Sequence, residues 1–214
     1  MGKLIFDITM SLDGFIAGPN PTLEEPLGER GEELHDWITR LASWRSQHGL
    51  SGGETGLNDE VVQESTGKAG AFLMGRRMFS SGAGSWEDDP KADGWWGDDP
   101  PFGVPVFVLT HHPRDAVEKQ GGTTYNFVTD GIEPAFEQAR SAAGDKDVQI
   151  AGGASIVQQY LNAGLVDEFQ VHVVPIFLGA GVRLFDDLGG RSDLELTRVV
   201  DSPAVTHLSY RVKR

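Results

Sequence analysis
The order in which strand-like and helix-like stretches follow one another constrains this chain more than any single motif. "KLIFDITM" (3–10) alternates in part and is rich in β-formers, so it reads as a strand. "SLDGF" then carries an Asp-Gly turn signal before the apolar "FIAG", and 19–33 is a loop rich in Pro, Gly and Glu. Residues 32–45 place Leu34, Trp37, Ile38, Leu41 and Trp44 at helical spacing, one apolar stripe. "NDEVVQESTGKAG" predicts a helix capped by Asn58. Short elements then take turns: strand 71–75, a one- or two-turn helix "RRMFSSG", a non-periodic loop over 82–103, strand 104–110, strand "TTYNFVT", helix "GIEPAFEQARSAAG" ending at Gly144, strand "DVQIAGG" and helix "ASIVQQYLNAG". A long strand, "VDEFQVHVVPIFLG", breaks at Pro175, and "LELTRVVDSPAVTHLSYRVKR" predicts a terminal β-hairpin turning at "DSP". Alternation closed by a hairpin means an α/β domain with a mostly parallel sheet and an antiparallel edge.

No internal repeat or long linker divides residues 1–214, so one domain is expected. Hydrophobic residues make up 39%, enough for a sizeable core. No stretch approaches the roughly 20 apolar residues of a membrane span. The N-terminus lacks the apolar segment of a secretory signal, and Phe6 stands where a myristoylation pattern wants Ser or Thr. The absence of cysteine excludes disulfides and thiolate metal sites and fits a cytoplasmic protein. A net charge of −14 argues against nucleic acid and membrane as partners. The few basic residues do cluster, at "GRR" (75–77) and "HHPR" (111–114).

Those clusters sit where strands end. In "QIAGGASIVQQYL", Gly152 and Gly153 join a strand to a helix. Glycine lets the backbone reach within hydrogen-bond distance of a phosphate, and the helix N-terminus offers free N–H groups. The alternative is a plain tight turn. There is no G-x-G-x-x-G and no P-loop lysine, so an ordinary Rossmann or nucleotide-triphosphatase pattern is unsupported. "LMGRRMF" repeats the strand–glycine–helix order with Arg76 and Arg77 at the helix opening, where they oppose the dipole unless an anion bridges them; otherwise they are a solvated pair. "VLTHHPR" adds Thr110, His111, His112 and Arg114 at a third strand end, a polar clasp for a phosphate or an adenine face rather than a metal site.

The ordered set "SLDGFIAG", "FLMGRRMF", "VFVLTHHPR" and "IAGGASIVQQYLNAGLVDEFQVHVVPIFLGAG" resembles the dihydrofolate-reductase-like family that includes the C-terminal reductase domain of the bifunctional riboflavin-biosynthesis deaminase/reductase. The resemblance implies a three-layer fold: a central, mostly parallel mixed sheet, flanking helices and a C-terminal antiparallel hairpin. It implies NADPH as hydride donor. Gly75, Arg76, Arg77, Thr110, His111 and Arg114 would hold the adenosine phosphate, and Gly152, Gly153, Ala154, Ser155 and Ile156 the pyrophosphate. Thr9, Ile16 and Ala17 would flank the nicotinamide. The arginines favour NADP over NAD, since the extra phosphate needs a cation.

The chain departs from folate reductases in three places. Leu34 stands at the position of the acid on the first long helix, beside Glu33, His35 and Asp36; Val104 and Val171 replace an arginine and a threonine. Dihydrofolate is therefore not the expected substrate. Trp37, Trp96 and Phe102, with Trp95 nearby, are candidates for stacking a flat substrate, the alternative being a cap on the core. Asp13 is first a turn residue and second a candidate proton donor. His172 reads as a packed strand histidine. The expected activity is NADPH-dependent reduction of a small heterocyclic or carbonyl-bearing molecule, riboflavin-pathway-reductase-like or pterin-like, with a non-catalytic NADPH-binding sensor or interaction module as the rival. A homodimer is expected from the family and from the apolar "FQVHVVPIFLGAGVRLF".

Overall fold
The computed structural model describes residues 2–80, 82, 84–190 and 193–213. Ser81 of the expected short helix, Ala83 of the expected loop and Arg214 of the expected hairpin lie outside the described residues. In chain order the elements are β1 (Leu4–Ser11), β2 (Phe15–Ala17), α1 (Ala42–Gln47), α2 (Leu57–Ser65), β3 (Ala69–Gly75), α3 (Arg76–Phe79), β4 (Pro105–Leu109), β5 (Val117–Glu118), β6 (Thr124–Val128), α4 (Ile132–Ala143), β7 (Asp147–Gly152), α5 (Ala154–Asn162), β8 (Glu168–Val174), β9 (Val182–Arg183), β10 (Leu194–Asp201) and β11 (Thr206–Val212). The expectation of one domain meets a chain that divides into two compact units interleaved in sequence: Met1–Phe6 with Ala69–Val166, and Asp7–Lys68 with Asp167–Arg214.

The first unit is the α/β part. Its strands run in the order β1, β7, β3, β4, β6, all parallel, with β5 antiparallel at the margin. β3 and β4 are apolar along nearly their whole length because both faces of a parallel sheet are covered. α4 lays Ala135, Phe136, Ala139 and Ala143 against β3, β4 and β7. The alanines keep that approach close: a Cβ on Gly70 would stand 2.7 Å from the Ala143 carbonyl oxygen. α4 stops at Gly144, as its sequence predicts, with φ +63° and its N–H donating to the Arg140 carbonyl at 3.2 Å. Phe79 is fully buried and meets Tyr125 and Phe127 edge-on, at ring separations of 4.8 and 5.3 Å.

In the second unit β11 lies antiparallel between β10 and β8, with β1 on the far side of β8, while β2 and β9 form a separate antiparallel pair. The expected hairpin is β10–β11, and β8 ends at Val174, just before Pro175. Two expectations need correction. Residues 32–45 are not one helix: a 3-10 turn spans Gly31–His35, and α1 starts only at Ala42. The break falls at Leu41, which is extended (φ −73°, ψ 145°) and bridges to Glu54. The apolar stripe is nonetheless buried, Leu34, Trp37 and Leu41 packing with Val62, Val174 and Val205. Asn58 is not a cap either. It lies inside the first turn of α2, behind Gly56, and its side chain reaches His207 instead. No described helix is long and apolar enough to cross a membrane.

Candidate functional site
Parallel pairing in the first unit brings three strand ends side by side. Met74 of β3 is in register with Gly152 of β7, and Gly75 with Leu109 of β4. The corners Gly75–Arg76, Leu109–Thr110 and Gly152–Gly153 are thereby neighbours at the carboxyl edge of the sheet, where open α/β sheets bind ligands. Gly152 (φ +147°) and Gly153 (φ +89°) have conformations that side chains resist, and a Cβ on Gly152 would stand 2.7 Å from Met78 Sδ. Gly153 opens α5 with no side-chain cap. The amides of Ala154, Ser155 and Ile156 therefore have no partner within the helix and face outward from its positive end. Ser155 is exposed and its hydroxyl accepts from Gln159 Nε2 at 3.3 Å; Ala154 and Ile156 are buried.

Arg76 is only 7% exposed and is built into this edge. Its Nε donates to Ser80 Oγ at 3.1 Å and its Nη2 to Asp89 Oδ2 at 2.5 Å, while the Ser80 hydroxyl donates to the same Asp89 oxygen at 2.6 Å. The guanidinium carbon lies 3.2 Å from the centroid of the Trp86 ring. Burial raises the Asp89 pKa, but the Ser80 hydroxyl, the Lys91 amide and the Arg76 charge outweigh it and hold the carboxyl below its ordinary value. Burial likewise lowers Arg76, against Asp89, with the Arg114 charge adding to the burial. Nη1 of Arg76 remains buried and without a hydrogen-bond partner.

The other basic candidates divide. Arg114 is taken by the long loop: Nη1 donates to the Ala92 carbonyl and Nη2 to Asp93 Oδ1 at 3.0 Å. Thr110 is buried in a local turn, its hydroxyl accepting from the His112 amide at 3.1 Å. Arg77 and His111 are exposed. Sequence reasoning missed Asp89 as the partner of Arg76, since an acid 13 residues away in an aperiodic loop gives no local signal. Among the described residues no cluster of three or more His, Cys, Asp or Glu side chains is placed to hold a metal ion.

Of the two readings of the aromatic candidates, the core cap is the one whose contacts are present. Trp96 meets Phe102 edge-on at 5.2 Å, and Phe102 meets Phe72 at 5.1 Å, within the cluster built on Met74 and Tyr125. Trp37, in the second unit, is 5% exposed, and its Nε1 donates to Thr9 Oγ1 at 3.3 Å. Its ring lies between hydrophobic neighbours and two histidines, with no open face for a substrate. Ile16 and Ala17 are half-buried on β2.

Asp13 also changes role. The Ser11 hydroxyl donates to its Oδ1 at 2.6 Å, and the Leu178 and Gly179 amides donate to Oδ1 and Oδ2 at 3.2 and 2.8 Å. The Ser11 bond is the largest influence, and with the smaller help of the two amides it holds the carboxyl below the usual range against the opposing effect of burial. A carboxylate so saturated clamps the turn to the 178–179 backbone. A proton donor needs the opposite shift.

Sequence reasoning also missed a buried polar chain in the second unit, treated His172 alone, and found it packed, as it is. Asp7 pairs with His172 Nε2, His172 Nδ1 lies 2.6 Å from His207 Nδ1, and His207 Nε2 lies 3.0 Å from Asn58 Oδ1. The one signal available was the period-2 face of β1, on which Asp7, Thr9 and Ser11 succeed one another.

Comparison with known proteins bears on the family and the fold. The family model of the RibD C-terminal domain matches residues 2–208. The uncharacterized protein YyaP of Bacillus subtilis (strain 168) is 28% identical over 210 residues, 95% of this chain and 92% of that protein. The fold is that of a putative riboflavin biosynthesis protein from Shewanella sp. PV-4, with TM-score 0.64, 22% identity and 99% of each chain covered. It is also that of the riboflavin biosynthesis reductase Rib7 of Saccharomyces cerevisiae, with TM-score 0.56, 12% identity, and 99% of this chain and 90% of that one covered.

Proposed function
This chain belongs to the RibD C-terminal domain family, and from that premise we propose that it is an NADPH-dependent reductase of the riboflavin-reductase type, acting on a small heterocyclic or carbonyl-bearing substrate. The observation that carries the proposal is the buried Nη1 of Arg76, a cationic donor with no partner, at an edge shared with an uncapped glycine turn. A buried donor left unmade costs free energy that a phosphate oxygen would return. The residues present fit a phosphorylated dinucleotide. Gly152, Gly153 and the amides of Ala154, Ser155 and Ile156 would cradle a pyrophosphate; Arg76, with exposed Arg77 and His111, would meet the additional phosphate of NADP. The dinucleotide supplies a hydride. Thr9, Ile16 and Ala17 are the proposed nicotinamide-side residues. The chain's own contribution is to hold and orient, and the accompanying proton comes from solvent, because Asp13 is saturated as an acceptor.

The same saturation favours a second reading, a dinucleotide-binding module without turnover. Calorimetric titration with NADPH and with NADH, followed by reduced-nicotinamide absorbance against a panel of pterins, ribosylaminopyrimidines, quinones and nitro compounds, separates the two. Binding with oxidation supports the reductase, binding without oxidation supports the module, and no binding heat removes both.

The proposed partner is a second copy of the chain, as a homodimer, and the proposed location is the cytoplasm. Within "FQVHVVPIFLGAGVRLF" the subunit itself covers Phe169, Val171 and Val174, but Phe177, Val182 and Phe185 are exposed. On β10, Leu196 and Val199 are 52% and 53% exposed. A monomer by light scattering at micromolar concentration would remove this part.

A further inference from the structure
Nothing in the cofactor assignment uses the file of side chains Asp7 (β1), His172 (β8), His207 (β11) and Asn58 (α2). His172 and His207 are 5% and 1% exposed. Trp37 touches both imidazoles, at ring separations of 4.9 and 5.3 Å, and its N–H donates to Thr9.

The two Nδ1 atoms, 2.6 Å apart, must share one proton between them. With Asn58 presenting its oxygen, His207 carries a proton on Nε2 and accepts at Nδ1. His172 then donates from Nδ1 to His207 and from Nε2 to Asp7, and is an imidazolium beside a carboxylate. With the Asn58 amide turned, its NH2 donates to His207 Nε2. His207 then donates from Nδ1 to His172, whose remaining N–H, on Nε2, faces Asp7. Both imidazoles are neutral. Every member is bonded in both arrangements, and the arrangements differ by one proton and one amide rotation.

The charged groups facing the pair are few. Asp7 comes from β1 and Arg198 from β10, the latter paired with Glu64 of α2. Asn58 and Trp37 are neutral, and Ser65 bonds Asp7. Burial first, then the His172 and Arg198 charges, hold His207 down to about 4 against the pull of Asp7. A second proton on the pair is thus disfavoured, which leaves a one-proton exchange.

We propose that His172 and His207 are positioning residues: a one-proton switch that sets the hold on Trp37 and, through the indole N–H, on the Thr9 hydroxyl. The proposal rests on the assignment of Thr9 to the nicotinamide side. In the charged arrangement an imidazolium lies against the indole π-system; in the neutral one an uncharged ring does.

The test follows the imidazole nitrogens and the Trp37 indole N–H by NMR from about pH 5 to about 9, in the intact protein and in Asn58→Asp. The expected result is one inflection common to His172, His207 and Trp37. A carboxylate at 58 can only accept, so Asn58→Asp locks the charged arrangement and raises the inflection by about one pH unit or more. An acid in the first turn of α2 suits a helix N-terminus, so the fold is retained. Independent titration of the two rings, an indole resonance that ignores the inflection, or an unmoved inflection in Asn58→Asp overturns the switch. In turnover, kcat should change about two- to five-fold across the same inflection while KM for NADPH stays flat; a flat kcat overturns the positioning role. If no substrate is turned over, the reductase proposal fails and the resonances alone decide the switch.

Discussion

Each unit buries a polar cluster that contains a charge pair or a histidine pair, and these two clusters are built on opposite principles. In the first unit a guanidinium meets a carboxylate, Arg76 with Asp89, both side chains almost wholly enclosed. Neither partner changes charge between pH 5 and 8, so this cluster is a fixed device that presents one spare donor. In the second unit Asp7, His172, His207 and Asn58 include two groups of the one side-chain type whose ordinary pKa falls in that range. The contrast teaches that a buried polar cluster can be fixed in charge across the neutral range or able to exchange a proton there, and that the partner's chemistry decides which.

The hardest blow to the contrast is Asp89→Ala. It leaves the Arg76 cation buried beside Trp86 with only Ser80, and about 3–5 kcal/mol of stability should disappear in denaturant titration. A loss below about 1 kcal/mol would mean that solvent reaches the pair. Second in size is the response to acid. His207 has its pKa lowered from 6.5 to about 4, so its contribution to stability is complete above pH 6.5 and is lost as the pH falls from there toward 4. The loss should be on the order of 2–3 kcal/mol by thermal melts across that window. His207→Gln should flatten the profile, whereas Asp89→Ala should leave its shape unchanged. A smaller effect is expected of Trp37→Phe, which removes the hydrogen bond to Thr9 but keeps the ring: about 1 kcal/mol. Last is Arg77→Ala. This exposed side chain should change stability by no more than about 0.5 kcal/mol while raising the dissociation constant for NADPH several-fold more than that for NADH. Equal effects on both coenzymes would leave Arg76 and His111 as the proposed selectors.

The parts legible in the sequence are those whose cause is local. Gly152 and Gly153 announce a backbone that must turn without side chains, and Gly144 the end of a helix. The apolar run of β3 announces a strand covered on both faces. The 32–45 stripe was half legible: its spacing marks which residues are buried, but the bridge from Leu41 to Glu54 spends the backbone groups that a continuous helix would need. Pairings across sequence left no trace. Asp89 lies in a stretch without periodicity, and His207 is 35 residues from His172, its place opposite that residue fixed only by the register of β11 on β8. Asp13 was recognised as a turn residue, yet its saturation depends on two amides 165 and 166 residues away.

The margin of the second unit carries one more consequence. Among the described residues β10 is the edge strand of its sheet, with exposed apolar side chains, the makings of a template for another strand. The irregularity between Leu196 and Arg198 interrupts the ladder in mid-strand, so an incoming strand would lose step there. Edge addition is thereby disfavoured, and the exposed Leu196 and Val199 side chains offer a face rather than a rim.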